Sequence, residues 1–451
     1  MVRTARRMRT AALATLSVAA TVSLLAGCSG GGGGEPAPEE VNLDDASGKV
    51  TLMVGAQDFP EEMIADFESE YPDIDVEVIV YDVARLNTML SAGNPPDIVS
   101  GPAVGSANFN ARGLATDLTP YLEASDVLKE DDLQPVNDSF RWDGTKSGEG
   151  PLYGIVKDWS QDATLWYNTA LFDKAGVEYL SATEATSYDD LLEIAKELTV
   201  SEGGTTQTFG LGLEWAWSLY GPIAAMVAQQ GGELYNEDLT EIDFTSDEAQ
   251  RALQWYVDFA EAGVGPTSLN PLADGSDFST FAAERMAITQ DGYWFGGNFA
   301  GEDALKTVRM APAPTMGDER ANPTYGGQGW WIPEQAENKT AAWRVMEYFM
   351  AGPPAEARAS SGWGLPSLKS LMDKLPQELP YQKEAYEVAQ AELEYSVPLP
   401  DSPYVTIDLV NTTIDKYLQS AIKGDMTVEE AGQALTDELN EALARGKDQI
   451  G

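Results

Sequence analysis

Residues 50–100 read VTLMVGAQDFPEEMIADFESEYPDIDVEVIVYDVARLNTMLSAGNPPDIVS, and this stretch decides the fold class. Val50–Gly55 is a short apolar run bounded by turn residues, the pattern of a buried strand. Pro60, Glu61 and Glu62 suit the first turn of a helix, where a missing N–H costs nothing and negative charge meets the positive helix end. Asp58 is placed to cap that helix, predicted over 60–71, and Met63, Ile64, Phe67 and Tyr71 give it one apolar face. Ile74–Val80 alternates as a strand, and Val83, Leu86, Met89 and Leu90 mark a second amphipathic helix. Asp97–Ser100, behind Asn94-Pro95-Pro96, is a third strand. Strands and helices alternating in this order predict a parallel sheet with helices on its faces, an α/β fold.

The same style continues outward. Ser187 with Asp190 has capping-box spacing ahead of Leu191, Ile194, Ala195 and Leu198. Thr245 with Glu248 does the same ahead of Ala249, Leu253, Tyr256, Val257 and Ala260, with Gly263 placed to close the helix. Ala342, Val345, Met346 and Phe349 mark another helix, and Thr427 with Glu430 opens a terminal one bearing Ala431, Leu435, Leu439 and Leu443. A body of about 400 residues is too long for one ordinary core, so two lobes are expected.

The N-terminus reads as an address. Arg3, Arg6, Arg7 and Arg9 precede an uncharged run over 11–26 that is too short and too rich in Ala, Ser and Thr for a comfortable membrane span. It ends in Leu24-Leu25-Ala26-Gly27-Cys28, similar to a bacterial lipobox, in which Cys28 would become the lipid-bearing N-terminus after removal of 1–27. Cys28 is the chain's single cysteine, so no intramolecular disulfide is possible. Residues 28–48, rich in Gly, Pro and Glu from Ser29 to Val41, read as a flexible tether to the outer face of the cytoplasmic membrane.

Composition narrows the function. The chain carries 28 Lys+Arg against 73 Asp+Glu; without the four Arg of the leader, 24 cations face 73 acids, a formal charge of −49. Such a surface repels nucleic acid, so no nucleic-acid partner is expected. The absence of histidine removes His-based triads, His-ligated zinc and imidazole bases. Of the common hydrolytic machineries only paired carboxylates remain, and nothing singles out such a pair.

A series of landmarks then resembles the extracellular solute-binding proteins of family 1, the group that contains maltose-binding protein. They are LSAGNPPDIVS (90–100), GLATDLTPYLE (113–123), PLYGIVKDWSQDATLWYNTALFDKAGV (151–177), TSYDDLLEIAKELT (186–199), FAAERMAITQDGYW (281–294), YGGQGWWIPEQAENKTAAWRVMEYFM (325–350) and SGWGLPSLKSL (361–371). The resemblance covers 49–445 and implies a two-lobed periplasmic-binding-protein-like fold of type II, with crossover hinge segments and a ligand cleft between lobes. It implies a first lobe from 49–160 plus 331–355 and a second from 161–325 plus 360–445. It further implies a monomer that is not an enzyme, holds no cofactor or metal, binds a carbohydrate and delivers it to the permease of an ABC importer. A polyamine or another organic solute is the alternative ligand, and a secreted two-carboxylate glycoside hydrolase the remote one.

Sugars offer hydroxyls to donors and acceptors, and C–H faces to flat apolar partners. Candidate contacts therefore combine the 11 Trp residues, all in the body, with neighbouring carboxylates and amides. Gln57 and Asp58 follow the first strand; Trp159, Gln161 and Asp162 lie at the first crossing; Trp217 precedes a helix; Asp291 and Trp294 follow a strand; Gly327 and Trp330 lie at the return; Trp363 sits between two glycines; Tyr404 is a further candidate. Strand alternation sends Trp330 and Trp331 to opposite faces, and Trp330 is assigned to the cleft. Plainer uses stand beside these: Trp159 as lobe packing, Asp58 as a helix cap, Asp291 as a polar turn. Trp142, Trp166, Trp255 and Trp343 read as packing. Two departures from the family pattern, GAQDF without an aromatic after the first strand and Gln328 where relatives often carry Trp, leave the particular sugar unassigned.

Overall fold

Gly48–Val54 is the strand around which the first sheet forms: Leu52, Met53 and Val54 are all fully buried, because helices cover both faces of it. It pairs in parallel with Ile74–Val80 on one side and Ile98–Pro102 on the other, as the sequence order predicts. The computed structural model describes residues 41–213, 219–272, 277–299, 304–324 and 327–450. The expected leader, Cys28 and most of the expected tether lie outside the described residues. The body begins earlier than expected, at Val41. Leu43 is buried, and its carbonyl accepts a hydrogen bond from Arg344 Nε at 3.2 Å, so the last residues assigned to the tether belong to the packed unit.

The first sheet has six strands, in the order Leu365–Pro366, Ile155–Trp159, Gln328–Trp331, Ile98–Pro102, Gly48–Val54, Ile74–Val80. The second has five: Val308–Ala311, Leu165–Asn168, Met286–Gln290, Thr205–Leu213, Val200–Glu202. This is the two-lobed α/β architecture. One lobe expectation is corrected: Leu365–Pro366, assigned to the second lobe, pairs antiparallel with Asp158 and Trp159 at the edge of the first sheet.

Caps follow the sequence with two exceptions. Ser187 accepts from Asp190 N, and Thr427 with Glu430 forms a reciprocal box, each side chain bonded to the other's backbone N–H. The helix Asp247–Ala262, however, is capped by Ser246, while Thr245 turns back to Asp243. Asp58 does not cap Glu61–Glu70, whose N-cap is Pro60; it accepts from Gly55 N at 3.1 Å instead.

The assignment of Trp330 to the cleft is overturned. Trp330 is fully buried and stacks on Phe349 of helix Lys339–Ala351, ring centroids 3.8 Å apart and planes 4° from parallel. Trp331 does point to the opposite face, but there it stacks on Phe109 at 4.7 Å and is also buried. Alternation is right and its consequence wrong, because both sheet faces carry helices and the cleft can lie only beyond the strand ends.

The crossings are tied to one another where the chain leaves one sheet for the other. Asp162 N donates to the Pro323 carbonyl, Ala163 N to Asn322 Oδ1 and Thr324 Oγ1 to the Ser160 carbonyl. The buried Glu392 carboxylate accepts from Asn322 Nδ2 at 2.7 Å and pairs with Arg320, so a charge in the interior is compensated twice.

Candidate functional site

Two glycines bring two of the expected aromatics together. Gly292 opens the turn Tyr293–Asn298, and a Cβ there would lie 2.4 Å from both Ser160 Cβ and Asp162 Oδ1. Only glycine lets this turn lie against the first crossing, where Trp294 N donates to Ser160 Oγ at 3.2 Å. A Cβ on Gly297 would lie 2.9 Å from the Gly362 carbonyl oxygen, so the same turn also rests on the end of helix Pro353–Ser361. The result sets the Trp294 and Trp363 rings 5.6 Å apart at 55°. Trp363 is 42% exposed, an unusual position for an indole in a folded chain and one that offers a flat apolar face to a ligand.

Beneath Trp363 a small recess of about 10 Å³, room for roughly one water molecule, is lined by Lys157, Asp158, Arg358 and Gly364 among others. Lys157 Nζ lies 2.7 Å from Asp58 Oδ1 and 3.4 Å from Asp158 Oδ2. Arg358 lies over the Phe349 ring at 4.2 Å and donates Nη2 to the Phe349 carbonyl. Burial pushes the Asp158 carboxyl up, with Lys157 and then Arg358 pulling it back; burial likewise pulls the guanidinium of Arg358 down, with Asp158 and Asp58 opposing. Two cations and two carboxylates make the group neutral as a whole. Asp158 Oδ2 is buried with only the 3.4 Å approach of Lys157 Nζ, and Arg358 Nε is buried without a hydrogen-bond partner. The group is neutral and those two atoms are enclosed, while Trp363 is the exposed aromatic face beside it.

The other expected residues separate. Gln57 is exposed beside Asp58. Trp159 is buried, its indole N–H donating to the Pro366 carbonyl at 3.1 Å, so in this structure it ties two crossing strands. Gln161 is fully buried, its amide donating to the Ala389 carbonyl, and Asp162 is buried at the crossing. Asp291 is buried in the turn it opens, its carboxylate accepting from Gly292 N at 3.0 Å. Gly327 accepts from Ala103 N and lies against Thr324 and Trp159. Tyr404 rests by the C-terminal helix, with Lys447 Nζ 6.0 Å from its ring. Trp217 lies outside the described residues. The structure therefore groups Asp58, Trp294 and Trp363 at an accessible place and leaves Trp159, Gln161, Asp162 and Asp291 as the scaffold behind them.

Sequence reasoning missed Arg358 and Tyr81. Tyr81 follows strand Ile74–Val80 and, with Val80 and Val83, stays exposed where apolar side chains are expected to be covered. Burial pushes its hydroxyl up, with the charge of Asp408 in helix Ile407–Ile422 adding to the shift. An apolar run continuing past a strand end was the available signal. Among the described residues, no cluster of His, Cys, Asp and Glu is placed to hold a metal, and no helix is long and apolar enough to cross a membrane.

A family model described as bacterial extracellular solute-binding protein matches residues 62–383. No curated protein sequence matches significantly. Among solved structures, the chain is similar to an ABC substrate-binding protein from Listeria monocytogenes in complex with cycloalternan, at 24% identity and a TM-score of 0.74 over 88% of this chain and 99% of that one. It is similar to maltose-bound MalE3 of T. maritima at 21% identity, TM-score 0.68, covering 87% and 98% of the two chains. A cyclic α-maltosyl-1,6-maltose binding protein from Arthrobacter globiformis gives 19% and 0.65 over 88% and 99%. Likeness at these identities establishes the fold and leaves the ligand to be argued from the site.

Proposed function

Since the chain belongs to the bacterial extracellular solute-binding protein family, we propose that it is the substrate-binding component of an ABC importer for a sugar or short oligosaccharide. The observation that carries the ligand class is the Trp294–Trp363 pair above the neutral Asp58–Lys157–Asp158–Arg358 group. The rings take the C–H faces of a sugar, and the charged group meets its hydroxyls with charge-assisted hydrogen bonds. A neutral recess gives no net attraction to a phosphate or a polyamine. The structures of cycloalternan, maltose and maltosyl-maltose binders named above support the same class.

Function follows from closure. The lobes part to admit the ligand and close on it, and the ligand shifts that balance because it touches both lobes only in the closed form. The closed form docks on a membrane permease. Cys28 carries the lipid that holds the protein at the outer face of the cytoplasmic membrane, and the body acts as a monomer. The lobe division is that implied by the landmarks, with 365–366 moved to the first lobe.

The test is calorimetric titration of the protein with mono- and oligosaccharides, with spermidine and putrescine as controls. Binding of one sugar series at about micromolar Kd or tighter, near −8 kcal/mol, is expected. Heat with polyamines alone would keep the transport role and overturn the sugar.

A further inference from the structure

One place where the first lobe touches the second is residues 104–108, and side chains of both lobes build the contact. Gly105 has φ +101°, a left-handed conformation suited to glycine, and it starts helix Ser106–Ala111. The first N–H groups of a helix have no partner within it. Here both Gly105 N and Ala107 N donate to a single oxygen, Oδ2 of Asp401, at 2.9 and 3.1 Å. Asn108 Nδ2 donates to the Pro403 carbonyl at 2.8 Å. Val104 buries its side chain in the apolar cluster of the second lobe, and Ile407 lies against Gly105.

The loop that supplies Asp401 is fixed to its own lobe. Tyr220 donates its hydroxyl to the Pro400 carbonyl, and Ser402 Oγ donates to the Leu239 carbonyl at 2.7 Å. The carboxylate is therefore held out from a rigid support, and what it grips is backbone almost 300 residues away in the chain, at separations of 296 and 294. Every partner in this contact is a group of the protein itself.

We propose that Asp401 is a positioning residue that latches the lobes together independently of ligand, by taking both free amides at Gly105 and Ala107, and so sets how far the empty protein is already closed. The inference rests on the reading that the lobes open and close. A latch of this kind raises apparent affinity by lowering the cost of closure, and it does so without touching the sugar.

Amide hydrogen exchange of the full chain, without any sugar, reads the latch directly. In the wild type the peptide covering 103–109 is expected to exchange slowly. Asp401→Ala should speed exchange there by about tenfold or more, since both bonds to the one buried oxygen are lost, while 48–54 in the first sheet stays protected. Asp401→Asn keeps an oxygen that can accept both bonds and should restore most of the protection. Asn108→Ala, which spares Asp401 altogether, should give a smaller local increase and serves if Asp401→Ala does not fold. Equal exchange at 103–109 in wild type, Asp401→Ala and Asn108→Ala would overturn the latch. Adding maltose or maltotriose is a separate arm. If no sugar alters exchange in the wild type but Asp401→Ala still does, the latch stands and the sugar reading is the one that fails.

Discussion

Replacing Trp330 and Trp363 by alanine, one at a time, should separate what holds the fold from what holds the ligand. Trp330 is fully buried, lies flat on Phe349 at 3.8 Å and has Phe59 at 6.0 Å. Its indole N–H has no partner, so truncation forfeits packing alone and breaks no hydrogen bond. A buried Trp→Ala change costs about 3–5 kcal/mol. With an unfolding entropy of about 2.1 cal/mol/K per residue over some 400 residues, that is a fall in Tm of about 4–6 °C. Trp330→Phe keeps an aromatic face for Phe349 and removes the unbonded N–H, and should recover about half of the loss. Trp363, 42% exposed, packs mainly on Trp294, and its loss should lower Tm by less than about 2 °C. As an aromatic anchor it should cost about 2 kcal/mol of binding, a fall in affinity of about 30-fold. Thermal unfolding and calorimetric titration on the same preparations measure both quantities. A Trp330→Ala protein with unchanged Tm and no sugar binding would refute the assignment of this side chain to the core, and would restore it to the cleft.

Three further outcomes are expected. Lys157→Met leaves Asp58 and Asp158 together without the ammonium that lies 2.7 and 3.4 Å from them, and should cost about 3 kcal/mol in urea unfolding; adding Asp58→Asn should return part of it, and additive losses would show the three do not interact. Burial pushes the Asp401 carboxyl up to about 7, with the amides of Ala107 and Gly105 opposing, and among the described residues the titratable groups that feel its charge are the phenols of Tyr220 and Tyr235. A carboxyl raised in this way adds its stability below its ordinary pKa and loses it as pH rises, so Asp401→Asn should gain on the wild type progressively between about pH 4 and 7; a pH-independent difference in unfolding midpoints would contradict it. Finally, Cys28→Ser should leave sugar affinity unchanged and release the protein from the membrane fraction to the medium; retention of the Ser variant in membranes would show that the anchor lies elsewhere.

The alternation of strands and helices over 50–100 was legible because it depends on local periodicity, and so were the boxes at Ser187 and Thr427, where both partners lie within one turn. Of the candidate contacts, Trp294 and Trp363 were legible as aromatics near glycines, and the structure sets their rings 5.6 Å apart, Trp363 exposed and Trp294 partly buried. Trp330 shows the limit. The period of two puts it on one face of a strand, but whether that face meets solvent, ligand or another helix depends on what packs there, and Phe349 reaches it from a separate helix 19 residues along the chain. Arg358 and Asp401 were illegible for a related reason. Each is an ordinary charged residue in a polar stretch, and its meaning comes from partners that only the crossings of the chain bring near: Asp158 for the one, the amides of Gly105 and Ala107 for the other. In a fold whose chain passes repeatedly between lobes, candidate ligand contacts can be named from side-chain chemistry, whereas contacts between distant segments are seen only once the chain is folded. What sequence reaches first is therefore local periodicity and side-chain chemistry, and what needs the structure is the pairing of segments far apart in the chain.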